Sequence, residues 1–168
     1  MDELKRSFAP VADERTRVLV LGSLPGERSL AQRQYYAHPQ NQFWRLISAV
    51  AERDLASLPY EERLQALLEA RVGLWDTVGA ATRAGSLDSA IKLRQANALP
   101  ELVTRLPNLR AVGFNGGKSA AIGTPLLAHR GDLALLPLPS SSPAFTLSFG
   151  AKLERWAALK PFLTSRSP

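Results

Sequence analysis

The sequence predicts an α/β fold, a three-layer α/β/α sandwich around a short, mostly parallel sheet. Three observations carry this expectation. Short β-branched and leucine-rich runs alternate with segments of helical apolar spacing, the pattern of parallel strands joined by crossover helices. The chain has 168 residues, the length of one domain, with its core expected over about residues 16–163. It contains no cysteine, so the fold must rest on buried apolar surface, without disulfides or thiolate-bound metal.

The elements follow in order. Residues up to about 15 are polar and unpatterned, and 16–22 (TRVLVLG) read as a buried strand ending on glycine. Residues 22–40, with Pro25, Gly26 and Pro39, have no clean period and read as a long loop, a class that is usually functional in compact domains. Phe43, Leu46, Ile47 and Val50 repeat at helical spacing, and 59–70 (PYEERLQALLEA) give a second helix opened by proline. Residues 72–75 read as a short strand, followed by an irregular stretch with a helix start at Asp88. A helix is expected over 99–106 and a strand over 109–114. A weakly patterned helix, a strand over 133–136 and an amphipathic helix over 149–163 complete the chain.

The 21 basic and 15 acidic residues leave a net charge of +6. Such a surplus suits a polyanionic partner and equally suits simple solubility. The sequence holds no apolar run long enough for a membrane span, and its start lacks the pattern of a signal peptide, so an intracellular, cytoplasmic protein is expected.

In parallel sheets ligands bind outside the carboxyl ends of the strands. Three segments fall there: the loop from Gly22, the turn at 114–116 and the stretch 138–143. The first, over 22–44, reads GSLPGERSLAQRQYYAHPQNQFW; VGLWDTV (72–78), GSLDSAI (85–91), FNGGK (114–118) and LPSSSPAF (138–145) follow. In this order the motifs resemble the uracil-DNA glycosylase superfamily, most closely its hypoxanthine (deoxyinosine) DNA glycosylase branch, over residues from about 17 to 163. The resemblance implies a monofunctional DNA glycosylase of base excision repair that flips a deaminated base, foremost hypoxanthine, and hydrolyses its N-glycosidic bond. It implies DNA as partner, a monomer, and no metal or cofactor. Two alternatives stand beside it: the same chemistry on uracil in G·U mismatches, and a module that binds damaged DNA without cutting.

Breaking the C1′–N bond puts positive charge on the sugar and negative charge on the base, so the site needs donors toward the base and a positioned water. Asn41 falls at the H-P-x-N-x-F-W position, where the resemblance makes it catalytic: its carbonyl would orient water and its NH₂ would donate to the base. By local pattern alone, the N-cap of the following helix is the simpler assignment. Tyr36 is placed by the resemblance against the face of the flipped base, where stacking is worth about 1–3 kcal/mol. Tyr35 is assigned to the core. Asn115 reads locally as an Asn-Gly turn, and by resemblance as the amide that reads the base edge.

Gly22, Ser23, Pro25 and Gly26 of the first loop and Ser140, Ser141 and Ser142 of the last one are expected at sugar and phosphate, as are His38 and Lys118. Leu24 borders the base where many superfamily members carry a water-positioning acidic or amide residue. Leu138 replaces a histidine of the uracil-specific members, and Phe145 is the nearest apolar residue for insertion into the duplex. Asp76 and Asp88 read as capping or turn residues and stand outside the expected catalytic set. No lysine occupies an evident nucleophile position, so neither a Schiff base nor strand cleavage is expected.

Overall fold

In the computed structural model, which describes residues 4–164, strands and helices alternate along the chain. A short strand β1 (Leu4–Arg6) is followed by β2 (Val18–Gly22), helices α1 (Glu27–Gln32), α2 (Phe43–Ala51) and α3 (Tyr60–Glu69), and strands β3 (Val72–Asp76) and β4 (Val78–Thr82). A 3-10 turn at Asp88–Ala90 leads to β5 (Lys92–Ala96), α4 (Leu99–Thr104), β6 (Ala111–Asn115), α5 (Gly117–Leu127) and β7 (Ala134–Leu138). The chain then forms α6 (Phe149–Trp156), a second 3-10 turn and α7 (Lys160–Leu163).

The main sheet has the order β3-β2-β6-β7, and each of its pairings is parallel. All five residues of β2 are buried, which explains why VLVLG reads as an unbroken apolar run and not as an alternation. Side-chain alternation divides the strands between two cores. Val18, Val20, Val72 and Leu74 pack with Phe43, Leu46, Ile47 and Trp156 on one face, whereas Leu19, Leu21, Val112 and Phe114 pack with Leu99, Leu102 and Leu127 on the other. Helices therefore cover both faces, giving the three layers expected. Turn and cap chemistry sets the ends: Pro59 precedes α3, and the Ser148 hydroxyl accepts a hydrogen bond from the Ala151 N–H at the start of α6.

Four expectations change. The N-terminal segment contributes β1, and the region expected to be irregular forms β4 and β5, which pair antiparallel in a small second sheet of order β1-β4-β5. The sequences VGAAT and KLRQA hide these strands because neither alternates cleanly. The long loop after β2 contains α1. The last helix is divided, with Pro161 in the first turn of its final piece, where a missing N–H is harmless.

Candidate active site

From β2 the chain crosses to β3 on one side, and from β6 it crosses to β7 on the other. The switch in direction opens a crevice outside the carboxyl ends of β2 and β6, at Gly22 and Asn115. A cavity of about 610 Å³ lies there, within the range of small-ligand sites. Each site residue named from the sequence borders it.

Gly22 is required by proximity. A Cβ on it would lie 2.6 Å from Asp76 Oδ1 and 2.9 Å from Tyr36 Oη, so both groups converge on the space its missing side chain leaves. Register delivers Asp76, since Gly22 and Asp76 are paired at the ends of β2 and β3. Tyr36 arrives by an unusual backbone: its φ of 54° is left-handed, a conformation that non-glycine residues adopt at some cost and that concentrates at functional sites. One face of its ring stacks on Phe43 of α2, with centroids 4.0 Å apart and planes 18° apart. Tyr35 is buried as expected, its hydroxyl donating to the Ala9 carbonyl at 2.8 Å.

A chain of amides and hydroxyls joins the three loops. The Ser141 N–H donates to Asn115 Oδ1 at 2.9 Å, which fixes that atom as oxygen. Asn115 Nδ2 in turn donates to Ser141 Oγ at 2.9 Å and to Tyr36 Oη at 3.2 Å. The Ser141 hydroxyl itself donates to Asn41 Oδ1 at 2.8 Å, and the same oxygen accepts the Phe43 N–H at 2.9 Å. Asn41 is not the N-cap of α2, a place taken by Gln42; it instead closes an Asx turn just ahead of the helix and forms part of the cavity wall. Its carbonyl oxygen, expected to orient water, already accepts two hydrogen bonds. Among the described residues no acceptor takes its NH₂, so the amide presents a donor. Asn115, expected to read a base edge, has both amide hydrogens engaged within the protein.

The first loop is held from beneath by Arg83, which is 2% exposed and donates to the Leu24, Pro25 and Gly85 carbonyls. Leu24 itself is buried against Val78, Ala81 and Ile91 while bordering the cavity. The Ser23 hydroxyl donates to Asp88 Oδ1 at 2.6 Å, and the Ser86 hydroxyl accepts the Glu27 N–H at the start of α1, beside Gly26. Asp88 therefore does not cap its turn, which has no side-chain cap, and Asp76 closes a strand. The capping assignment fails for both, and both carboxyls border the cavity. Burial, reinforced by the Asp88 charge and opposed by Arg83, pushes the Asp76 carboxyl up from 3.8 to about 7. The local sequence around Asp76 carries no signal of this, because its burial depends on strand register, and Asp88 is brought to the cavity by a 3-10 turn.

The last loop is anchored from α6. Lys152, 1% exposed, donates to the Ser142 carbonyl at 3.1 Å, and Trp156 Nε1 donates to the Pro139 carbonyl at 2.9 Å. Within the loop the Ser142 N–H donates to Ser140 Oγ. His38 is exposed at the cavity edge, its Nδ1 accepting the Gln40 N–H, and Lys118 lies in the first turn of α5. Two exposed apolar side chains stand at the rim: Phe145, 46% exposed, and Leu87, 57% exposed, which sequence reasoning missed.

A parallel sheet that ends in a cavity walled by amides, hydroxyls and a stacked tyrosine defines an α/β protein with a ligand crevice at the carboxyl ends of its strands. The family model of the Uracil DNA glycosylase superfamily matches residues 9–160, and the chain belongs to that superfamily. It is similar to a Methanosarcina barkeri (strain Fusaro / DSM 804) protein named hypoxanthine DNA glycosylase, 42% identical over 153 residues that cover 91% of this chain and 96% of the relative. A protein of the same name from Methanosarcina acetivorans is 42% identical over 141 residues, 84% of this chain and 88% of the relative. The solution NMR structure of a Methanosarcina acetivorans protein described as a candidate uracil DNA glycosylase superposes with a TM-score of 0.85. It is 38% identical, over 96% of this chain and 99% of that one.

Proposed function

We infer that the protein is a DNA glycosylase that flips a deaminated base, foremost hypoxanthine, into the cavity and hydrolyses its N-glycosidic bond. The observation that carries this reading is the hydrogen-bonded chain from Asn115 through Ser141 to Asn41. It leaves one amide NH₂ pointing out of an otherwise engaged network at the cavity wall. Two hydrogen bonds onto Asn41 Oδ1 draw electron density from the amide and make its NH₂ a better donor to a base that gains negative charge.

In this reading Asn41 is the catalytic residue and Tyr36 stacks on the base with the ring face that Phe43 leaves uncovered. Asn115 is a positioning residue that holds Tyr36 and Ser141, and it reads the base edge only by exchanging its longer bond, the one to Tyr36. Asp88 supplies the carboxylate that attracts the sugar cation and the attacking water, a task for which Leu24 offers no polar side chain. Gly22 to Gly26, Ser140 to Ser142, His38 and Lys118 contact sugar and phosphate, and Phe145 with Leu87 occupies the gap left in the stack. The protein works as a monomer, without metal or cofactor.

The test uses duplexes carrying one deoxyinosine or one deoxyuridine, incubated with the protein and treated with alkali. Strand breaks at deoxyinosine are expected. Breaks at deoxyuridine alone favour the uracil reading, and tight binding with no breaks on either duplex favours a damage-binding module.

A further inference from the structure

We propose that Asp76 is a second catalytic residue of this site, a neutral carboxylic acid that donates its proton to a purine ring nitrogen as the C1′–N9 bond breaks; the proposal rests on the base-excision reading above. The carboxyl closes β3 in the cavity wall and is 3% exposed. Its Oδ2 is buried without any hydrogen-bond partner. None of the ion pairs among the described residues includes it. Two other buried side-chain atoms among the described residues also lack a partner, Gln42 Oε1 and Thr77 Oγ1, but of these three residues Asp76 alone borders the cavity.

A buried carboxylate without a partner is strongly disfavoured, and the neutral acid carries one O–H donor that must find an acceptor. Asp76 Oδ1 and Tyr36 Oη approach the same side of Gly22, where a flipped base would meet both. The charged group nearest in effect is Asp88 of the 3-10 turn, which further disfavours ionisation, while Arg83 beyond β4 opposes it. The Tyr35 and Tyr36 phenols face Asp76 from the first loop, and burial pushes both upward, so they remain neutral. Glu27 and Arg28 of α1, His38, and Lys118 of α5 are the other ionisable groups around the cavity. A carboxyl that titrates at about 7 is matched to general-acid work near neutrality.

The donor also discriminates. Purines carry acceptor nitrogens at N3 and N7, and uracil has no ring nitrogen with a free lone pair. As the bond breaks, its electron pair stays on the base and the Asp76 proton passes to N7 or N3, so the base leaves as neutral hypoxanthine. Water adds to C1′ and loses a proton, which returns to the Asp76 carboxylate through solvent. The acid is thereby restored and no other reactant is consumed.

The test follows single-turnover cleavage of the deoxyinosine and deoxyuridine duplexes from pH 5.5 to 9. It compares the full-length protein with Asp76→Asn and Asp76→Ser, and follows base flipping separately through 2-aminopurine placed beside the lesion. The wild-type rate on deoxyinosine is expected to fall tenfold per pH unit above about 7, a limb that persists in His38→Gln. Both Asp76 variants are expected to lose about 100-fold in rate and to give a flat profile, with DNA affinity and flipping within threefold. Retention of the falling limb in the variants, or loss of flipping in step with cleavage, overturns the proposal. An inert wild-type protein on both duplexes removes the base-excision reading itself, whereas an active wild type matched by its variants removes only the role of Asp76.

Discussion

Asn115 and Ser141 are joined twice, the serine N–H donating to the asparagine Oδ1 and the asparagine NH₂ donating back to the serine hydroxyl, each at 2.9 Å. This reciprocal pair ties the end of β6 to the last loop, and through the same hydroxyl it reaches Asn41 in front of α2. Three chain segments far apart in sequence are thus placed by one serine. Ser141→Ala removes the hydroxyl and leaves a buried amide hydrogen and one lone pair of Asn41 unpaired. A stability loss of about 1–3 kcal/mol is expected in urea denaturation. A fall in the rate of base release larger than the fall in DNA affinity should accompany it, and unchanged kinetics would show that the hydroxyl does not serve the reaction.

Asn41→Asp isolates the donor. The carboxylate still accepts the Phe43 N–H and the Ser141 hydroxyl, so the turn ahead of α2 is kept, but the NH₂ is gone and negative charge faces the developing anion. The expected loss in single-turnover rate is about 100- to 1000-fold, the scale seen when one donor to a developing anion is removed. Binding to abasic-site DNA, measured by anisotropy, should stay within a few fold because no base is then present to be repelled. Wild-type rates in this variant would leave Asn41 a purely structural role in the turn ahead of α2.

The parts of this site that were legible in the sequence are those set by local chemistry. The run VLVLG announces a buried strand, Asn115-Gly116 announces a turn after one, and glycine at position 116 is needed because its φ is 97°. The rest depends on partners distant in sequence. Asp76 looks like any turn carboxylate until the pairing of β2 with β3 sets it beside Gly22. The carbonyl of Asn41 looks free to hold water until Ser141, a hundred residues later, takes it. Lys152 reads as one charge of an amphipathic helix, yet it is buried beneath the last loop. The strands β4 and β5 escaped notice because small and mixed side chains on a minor sheet leave no periodic trace.

Phe145 and Leu87 flank the cavity mouth from different loops, both exposed. Insertion of an apolar side chain compensates for the stacking lost when a nucleotide leaves the duplex. Phe145→Ala and Leu87→Ala are each expected to lower cleavage of a duplex about tenfold, with the double variant losing more. A single-stranded deoxyinosine oligonucleotide needs no wedge, so its cleavage should change by less than threefold. Equal losses on both substrates would mean that these residues shape the cavity and not the duplex.

Asp76 also fixes how stability varies with pH. Its carboxyl titrates at about 7 in the fold against 3.8 ordinarily, so folding favours the neutral form. The group therefore weighs nothing against the fold below pH 4. From there the unfolded chain ionises freely while the folded one resists, and stability falls until the pH passes about 7, by about 4 kcal/mol in all. Asp76→Asn keeps the shape and cannot ionise. Its stability should match the wild type near pH 4 and exceed it by up to about 4 kcal/mol at pH 8, read as a shift in urea midpoint. A gain that is independent of pH would come from packing and not from the charge. The gain predicted here accompanies a loss of activity, since the burial that destabilises the ionised group is the same burial that keeps a proton available beside the base.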